Sequence, residues 1–369
     1  MQKNQVMGLL FPNMGDSTLG DLTALRSVGS TPFGGRYRLI DFPLSNMVHA
    51  GISKVGVITK KNYNSLMDHL GSGKAWDLSR KHEGLYYLPP RGSDHLYEGR
   101  ISSLADIMSF LQASKEEIVV LSDCYTVGNI DLDQMISHHI AGGADITIGY
   151  VHTTLRGAID RMLVWPDQDG RITDIVFNQA EEAEGNFSIG LYVMSKAFLI
   201  RIIKDAIGRN LTHFERDILQ KHIASLHIAG YEVKELTMMI CSQEQYFAAN
   251  MALLDAEVRN KLFLPGRPIY TKVRDCAPAR YGLNSVVSDS LVGDGAKING
   301  TVRNSIVFRD ADIGRDAVVE NCVVMQGAII GERAQLRYMI ADKNVVIREG
   351  RALQGCESYP IYIAKNTMV

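Results

Sequence analysis

The sequence predicts an α/β protein with a doubly wound, mostly parallel sheet, continued by a parallel β-helix. Three observations carry that expectation. Short apolar runs alternate with amphipathic patterns over residues 1–260, a Pro/Gly-containing segment (261–283) interrupts them, and residues 284–369 repeat their aliphatic positions at a 17-residue step.

The first strand is expected at Val6–Phe11 (VMGLLF), a run apolar enough for burial on both faces of a parallel sheet. The loop after such a strand is where an open α/β sheet meets its ligand. Here that loop reads Pro12-Asn13-Met14-Gly15-Asp16-Ser17-Thr18, with one glycine and no cation to cradle a triphosphate. Further strands are expected at VGVIT (55–59), IVVL (118–121), DITIGY (145–150) and IGLYVM (189–194). Amphipathic helices are expected at 63–70, 103–113, 133–141, 214–229 and 243–260, and LIDFPLSN (39–46) as core and turn. Residues 264–282 hold three of the ten prolines and form the expected linker.

Beyond the linker, similar copies open at Val292, Ile313, Ile330 and Ile347, at spacings of 21, 17 and 17. A second ladder, Ile306, Val323 and Ile340, keeps the 17-residue step. That period fits three edges per coil, with aliphatic residues stacked inward and glycines or small residues at the corners. An antiparallel sandwich would have to reach four copies in register by coincidence. An acyltransferase on such a helix would need a catalytic histidine on a loop, and no histidine follows His227.

The 369 residues are 46% hydrophobic and 22% charged, with a net charge of −2, values ordinary for a globular protein of two domains. The scattered basic residues exclude a nucleic-acid footprint. Five cysteines without a CxxC pair exclude a zinc knuckle or a disulfide framework and read as reduced thiols. No run reaches the roughly 20 apolar residues of a membrane span, so a cytoplasmic location is expected. His138-His139 on a predicted helix point apart and make no metal pair.

The motifs FGGRYRLIDFPLSN (33–46), GISKVGVITK (51–60), WDL (76–78) and LPP (88–90) resemble those of the bacterial ADP-glucose pyrophosphorylases, the glucose-1-phosphate adenylyltransferases. The resemblance spans nearly the whole chain and is greatest to the GlgD-type regulatory subunit. It implies a nucleotide-diphospho-sugar transferase-like α/β domain, a left-handed β-helix of hexapeptide type, and the conversion of ATP and glucose 1-phosphate to ADP-glucose and diphosphate.

The family's catalytic motifs fall on residues of different chemistry. The arginine of its glycine-rich loop falls on Thr18, the lysine of its Lys-Pro pair on Val28, and its two metal-binding aspartates on Cys124 and Met239. The lysine of its Glu-Lys-Pro falls on Asn178, and its Gly-Thr-Ala-Asp-Ala keeps only Gly99. Magnesium requires hard oxygen ligands, which neither Cys nor Met offers. Asp123 stands one residue early, and in a strand that slip turns the side chain to the other face.

Arg26 and Arg38 match family arginines of an anionic effector site between the domains, and two guanidiniums can grip a phosphate. Surface or ion-paired arginines are the alternative reading. Trp76, Asp77 and Gly99 are the expected remnant of a nucleotide pocket, with packing as their plainer role. The resemblance thus implies a noncatalytic or weakly catalytic regulatory subunit, without a cofactor of its own, the Mg2+ being expected in a catalytic partner. A heterotetramer with that partner, a homodimer and a phosphorylated small-molecule effector are the partners expected. Two rivals stay open: an active nucleotidyltransferase using Asp123 with Asp16 or Asp21, and a sugar-phosphate or nucleotide sensor.

Overall fold

The computed structural model describes residues 5–15, 18–60, 62–81, 83–89, 99–156 and 159–369. The strands of its main sheet are β1 (Val6–Phe11), β2 (Lys54–Ile58), β3 (Gly84–Leu88), β4 (Ile118–Asp123), β5 (Ile146–Arg156), β6 (Met162–Pro166), β7 (Ile172–Phe177), β8 (Glu182–Ser195) and β9 (Ile228–Glu232). Their order is β7-β6-β8-β4-β1-β2-β3, with β5 pairing β8 and β9. The β4-β1-β2-β3 half is parallel, as its continuous apolar runs require. The long strand β8 runs antiparallel to β4, β5 and β6.

The helices are α1 (Asp41–His49), α2 (Asn64–Leu70), α3 (Arg100–Asp106), α4 (Met108–Ala113), α5 (Leu132–Gly142), α6 (Lys196–Gly208), α7 (Gln243–Ala252) and α8 (Ala256–Leu262). Where one helix was expected over 103–113 there are two, broken at Ile107. The 243–260 pattern likewise splits, because Asp255 starts a new helix by accepting the Glu257 N–H at 2.8 Å. The pattern at 214–229 gives only a helical turn, Phe214–Gln220, before β9 begins at Ile228. LIDFPLSN is helical from Asp41, since Pro43 lies in the first turn, where its missing N–H has no helical partner to lose. Helix α6 has its own signature: Ser195 accepts the Phe198 N–H at 3.2 Å, and Phe198, Leu199, Ile202, Ile203 and Ala206 face the sheet.

Residues 263–279 carry no strand or helix but lie fixed along the α/β body. The Tyr270 N–H donates to Ser45 Oγ at 2.9 Å, and the Tyr270 ring stacks on His49.

The β-helix stacks three edges per coil. One edge aligns Ile298, Ile313, Ile330 and Ile347, a second Val302, Val319 and Leu336, and a third Val307, Val324 and Ala341, all in one buried core. Val292 pairs with Val307 rather than with the Ile313 position, so the first sequence copy is displaced by one edge. Edges of similar composition make such a slip invisible in sequence. The corners are built mostly by residues at positive φ, such as Gly295, Asp310, Gly327 and Asn344 in successive coils, rather than by glycine alone.

The Ile306, Val323 and Ile340 ladder does not point inward. Those three side chains are fully buried together with Leu22, Val28 and Phe33, so they form the face by which the β-helix packs on the segment that follows β1 in the α/β body. Each leaves water on docking, at about 25 cal/mol per Å² of apolar surface. Between the two bodies Arg26 also donates from Nη2 to both oxygens of Asp342 at 2.8 Å, and Tyr362 Oη donates to Asp342 at 2.5 Å.

Candidate functional site

The carboxyl ends of β1 and β4 open onto a cleft of about 680 Å3, open to solvent, lined by Met14, Gly15, Arg100, Asp123, Tyr125, Arg161 and Arg216 among others. This is the ligand edge expected of an α/β sheet. The loop beyond β1 is pinned on both sides: the Gly29 N–H donates to Pro12 O at 2.9 Å, and the Lys60 N–H to Asn13 Oδ1 at 3.2 Å.

Asp123 ends β4 beside Phe11. Its two oxygens both accept from Arg100 Nη2 at 3.0 Å, and Arg100 Nε donates to Glu215 Oε1 at 2.9 Å. The guanidinium lies 4.3 Å over the Phe11 ring. Burial opposes the charge on Arg100, but the two carboxylates outweigh it and hold the group firmly protonated. For Asp123, burial pushes the carboxyl up to about 6 against the lowering by Arg100, so the pair is ionic at neutral pH. Space for this carboxylate comes from Gly190, at φ +70° in a bulge of β8, where a Cβ would come within 2.2 Å of Asp123 Oδ2.

Val28, Cys124 and Met239, where the family motifs carry charge, are buried in one apolar cluster together with Cys241. Burial pushes the Cys241 thiol up, away from thiolate. These residues pack; they offer no oxygen to a cation. Among the described residues no three His, Cys, Asp or Glu side chains gather as a metal site. The residues present therefore do not fit the Mg2+ that the family implies. Asp16 lies outside the described residues. The backbone carbonyl of Asp21 accepts from Tyr362 of the β-helix at 3.3 Å.

Asn178 folds into its own turn, with Nδ2 donating to Ala180 O at 2.6 Å, and presents no charge. Its backbone N–H donates to Arg161 O at 2.9 Å, however, which places Arg161, the residue before β6, beside it. Arg161 Nη2 donates to Thr18 Oγ1 at 3.0 Å, and the guanidinium lies 5.0 Å over Tyr125. Neither Arg100 nor Arg161 was singled out in the sequence. An arginine directly after Gly99, the single residue kept from that family motif, was the available signal for the first.

Gly99 is required by packing: a Cβ there would stand 2.2 Å from the Thr212 carbonyl. Trp76 and Asp77 lie away from the cleft, beside Gly51, Ile52 and Ser53 at the amino end of β2. Trp76 sets its edge against His69, and Asp77 pairs with Arg80 at 2.5 Å. They serve packing and a turn. Pro90 of the LPP motif lies outside the described residues.

A second pocket, of about 410 Å3, lies between the α/β body and the β-helix. Six cations line it: Arg36, Arg38, Lys272, Arg274, Arg309 and Lys343. Among the described residues no carboxylate does. Arg38 is oriented by Nη1 bonds to Ser65 Oγ at 2.9 Å and to the Ser65 carbonyl at 2.5 Å. Buried Arg309 has an Nε without a hydrogen-bond partner. Arg26 is not in this lining, because its guanidinium is held by Asp342. The linker supplies Lys272 and Arg274, which also reach Asp68.

Residues 17–255 match the family described as Nucleotidyl transferase, and residues 277–356 the GlmU-like, C-terminal hexapeptide family. The chain is similar to the Glycogen biosynthesis protein GlgD of Bacillus subtilis (strain 168), at 34% identity over 99% of this chain and 97% of that one. The protein of the same name from Geobacillus stearothermophilus is 35% identical over 86% and 83%. A Glucose-1-phosphate adenylyltransferase of Thermotoga sp. (strain RQ2) is 33% identical over 82% and 73%. With its mixed α/β sheet and its left-handed hexapeptide β-helix, the chain belongs to the nucleotidyl transferase family, in the branch of the glucose-1-phosphate adenylyltransferases and their GlgD-type members.

Proposed function

We propose that this chain is a noncatalytic regulatory subunit of a glucose-1-phosphate adenylyltransferase in glycogen biosynthesis, assembling with a catalytic subunit and tuning its response to an anionic effector. The observation that carries the reading is the Arg100–Asp123–Glu215 cluster. Adenylyl transfer needs metal and cations free to meet the charge that develops on phosphate. Here the one carboxylate that ends β4 is taken by an arginine of the same chain, and the neighbouring positions are apolar. This also counts against an active enzyme built on Asp123.

The pocket between the two bodies is the proposed effector site, with Arg38 as its expected member and Lys272, Arg274, Arg309 and Lys343 completing it. Binding there biases how the β-helix sits on the α/β body, and any bias that favours the partner's active conformation alters its rate.

Two measurements test the reading. The purified chain with ATP, glucose 1-phosphate and Mg2+ should release no pyrophosphate above background. Coexpressed with a catalytic paralogue from the same genome, it should co-purify and change the rate or effector response of ADP-glucose synthesis. Turnover by the isolated chain that disappears in Asp123→Asn would establish the active-enzyme reading instead, and failure to co-purify would remove the regulatory one.

A further inference from the structure

We propose that the pocket between the α/β body and the β-helix takes a divalent oxyanion, of the phosphate-ester class, together with one proton that binds at Lys343. This rests on that pocket being an anion site, as proposed above, and adds the residue that makes occupancy depend on pH.

The geometry is a crowd of like charges with little to offset it. Lys343 shares the lining with Arg36, Arg38, Lys272, Arg274 and Arg309. The acidic groups around it are already engaged. Asp342 accepts from Arg26, from Tyr362 and from the Lys343 backbone N–H at 2.6 Å. Asp68 is drawn to Lys272 and Arg274, Asp294 lies 3.8 Å from Arg309, and Asp41 holds His69 at 2.5 Å. Lys365 adds a further positive charge on the β-helix side. Among the described residues no carboxylate forms an ion pair with the Lys343 ammonium. The Nε of Arg309 in the same wall makes no hydrogen bond among the described residues, its nearest carboxylate, Asp294, standing 3.8 Å away, and can donate to a bound oxyanion.

Burial, then repulsion from Arg38 and Arg26, brings the Lys343 ammonium down to about 7, against the lift from Asp342. His69 is lowered by burial and stays neutral near pH 7. An incoming dianion reverses the sign of the field at Lys343 and restores its affinity for a proton. Between about pH 7 and the ordinary lysine range the anion-bound protein therefore holds one proton more than the free protein, and affinity falls as pH rises. Burial lowers the Arg38 guanidinium as well, to about 10, which is still above the pH range of the titration below.

Sulfate is the suitable probe, because it does not itself titrate near neutrality. Isothermal titration of the full chain with sodium sulfate from pH 6 to 9, at constant ionic strength, should show affinity falling by about tenfold per pH unit above pH 7. At pH 8 the heat should vary with buffer ionisation enthalpy as expected for uptake of about one proton. Lys343→Met should bind weakly at every pH without proton uptake. Lys343→Arg should bind as well at pH 9 as at pH 6. Sulfate binding that does not change with pH overturns the proton linkage and leaves the anion site standing. Proton uptake that persists in Lys343→Met assigns the proton elsewhere, with His69 first in line, and also overturns it. No sulfate binding at any pH removes the anion site and the linkage together.

Discussion

The cleft and the pocket between the two bodies are both rich in arginine, and they differ in what stands opposite. The cleft lining sets Arg100, Arg161 and Arg216 against Asp123, Asp160 and Glu215, whereas the six cations of the other pocket meet no carboxylate in their lining. The carboxylates that reach Lys272, Arg274 and Arg309 stand outside that lining, which leaves the inner face of the pocket positive and fit for an anion. The lesson is that a count of basic residues does not locate a functional site until their partners are known.

Removing Arg100 should strain the comparison most. Arg100→Ala leaves Asp123 and Glu215 without their shared cation, Asp123 fully enclosed. Breaking a buried pair from one side costs about 3–5 kcal/mol, so urea unfolding should show a loss of that order. A loss under about 1 kcal/mol would mean that the cleft arginine is no more structural than a surface ion pair.

The converse holds for the other pocket. Lys272→Ala with Arg274→Ala should leave the urea midpoint nearly unchanged, because Asp68, their one acidic partner among the described residues, is exposed. Sulfate affinity measured by titration should fall about tenfold to hundredfold, roughly 1.4–2.7 kcal/mol. A large drop in stability with unchanged affinity would invert the contrast between the two sites.

The smallest effect concerns pH. The Lys343 ammonium sits at about 7 in the folded chain and near the usual lysine value when unfolded. Between these limits the unfolded state binds the extra proton, so this group's contribution makes stability rise with pH across that window. After allowance for solvent screening the rise is about 1 kcal/mol, read as the difference between wild type and Lys343→Met in denaturant titrations from pH 7 to 10.

Much of the architecture could be read from residue order. Val6–Phe11, the VGVIT and IVVL runs and the 17-residue step each reflect a local rule, apolar continuity for buried strands and a fixed number of residues per coil. Residue type alone gives Val28, Cys124 and Met239 side chains without charge or oxygen, which cannot hold magnesium wherever they lie. Helix α6 was equally legible in its 198, 199, 202, 203, 206 pattern and was missed.

Other features depend on contacts between distant parts of the chain. The phase of the first coil and the outward turn of Ile306, Val323 and Ile340 follow from which neighbour lies across each edge. Trp76 and Asp77 were assigned to the nucleotide pocket by motif, yet the chain path carries them to the other end of the sheet. Arg26 and Arg38 looked alike in sequence; Asp342, 316 residues beyond Arg26, separates their roles.

The sequence by itself determined the succession of sheet and coil and the uncharged side chains at positions 28, 124 and 239, since both follow from residue type and spacing along the chain. Only the tertiary structure decided which cations are neutralised and which remain available. An electrostatic partner acts through space within a few ångströms, and the residues that answer Arg26 and Arg100 are brought there by folding from far along the chain.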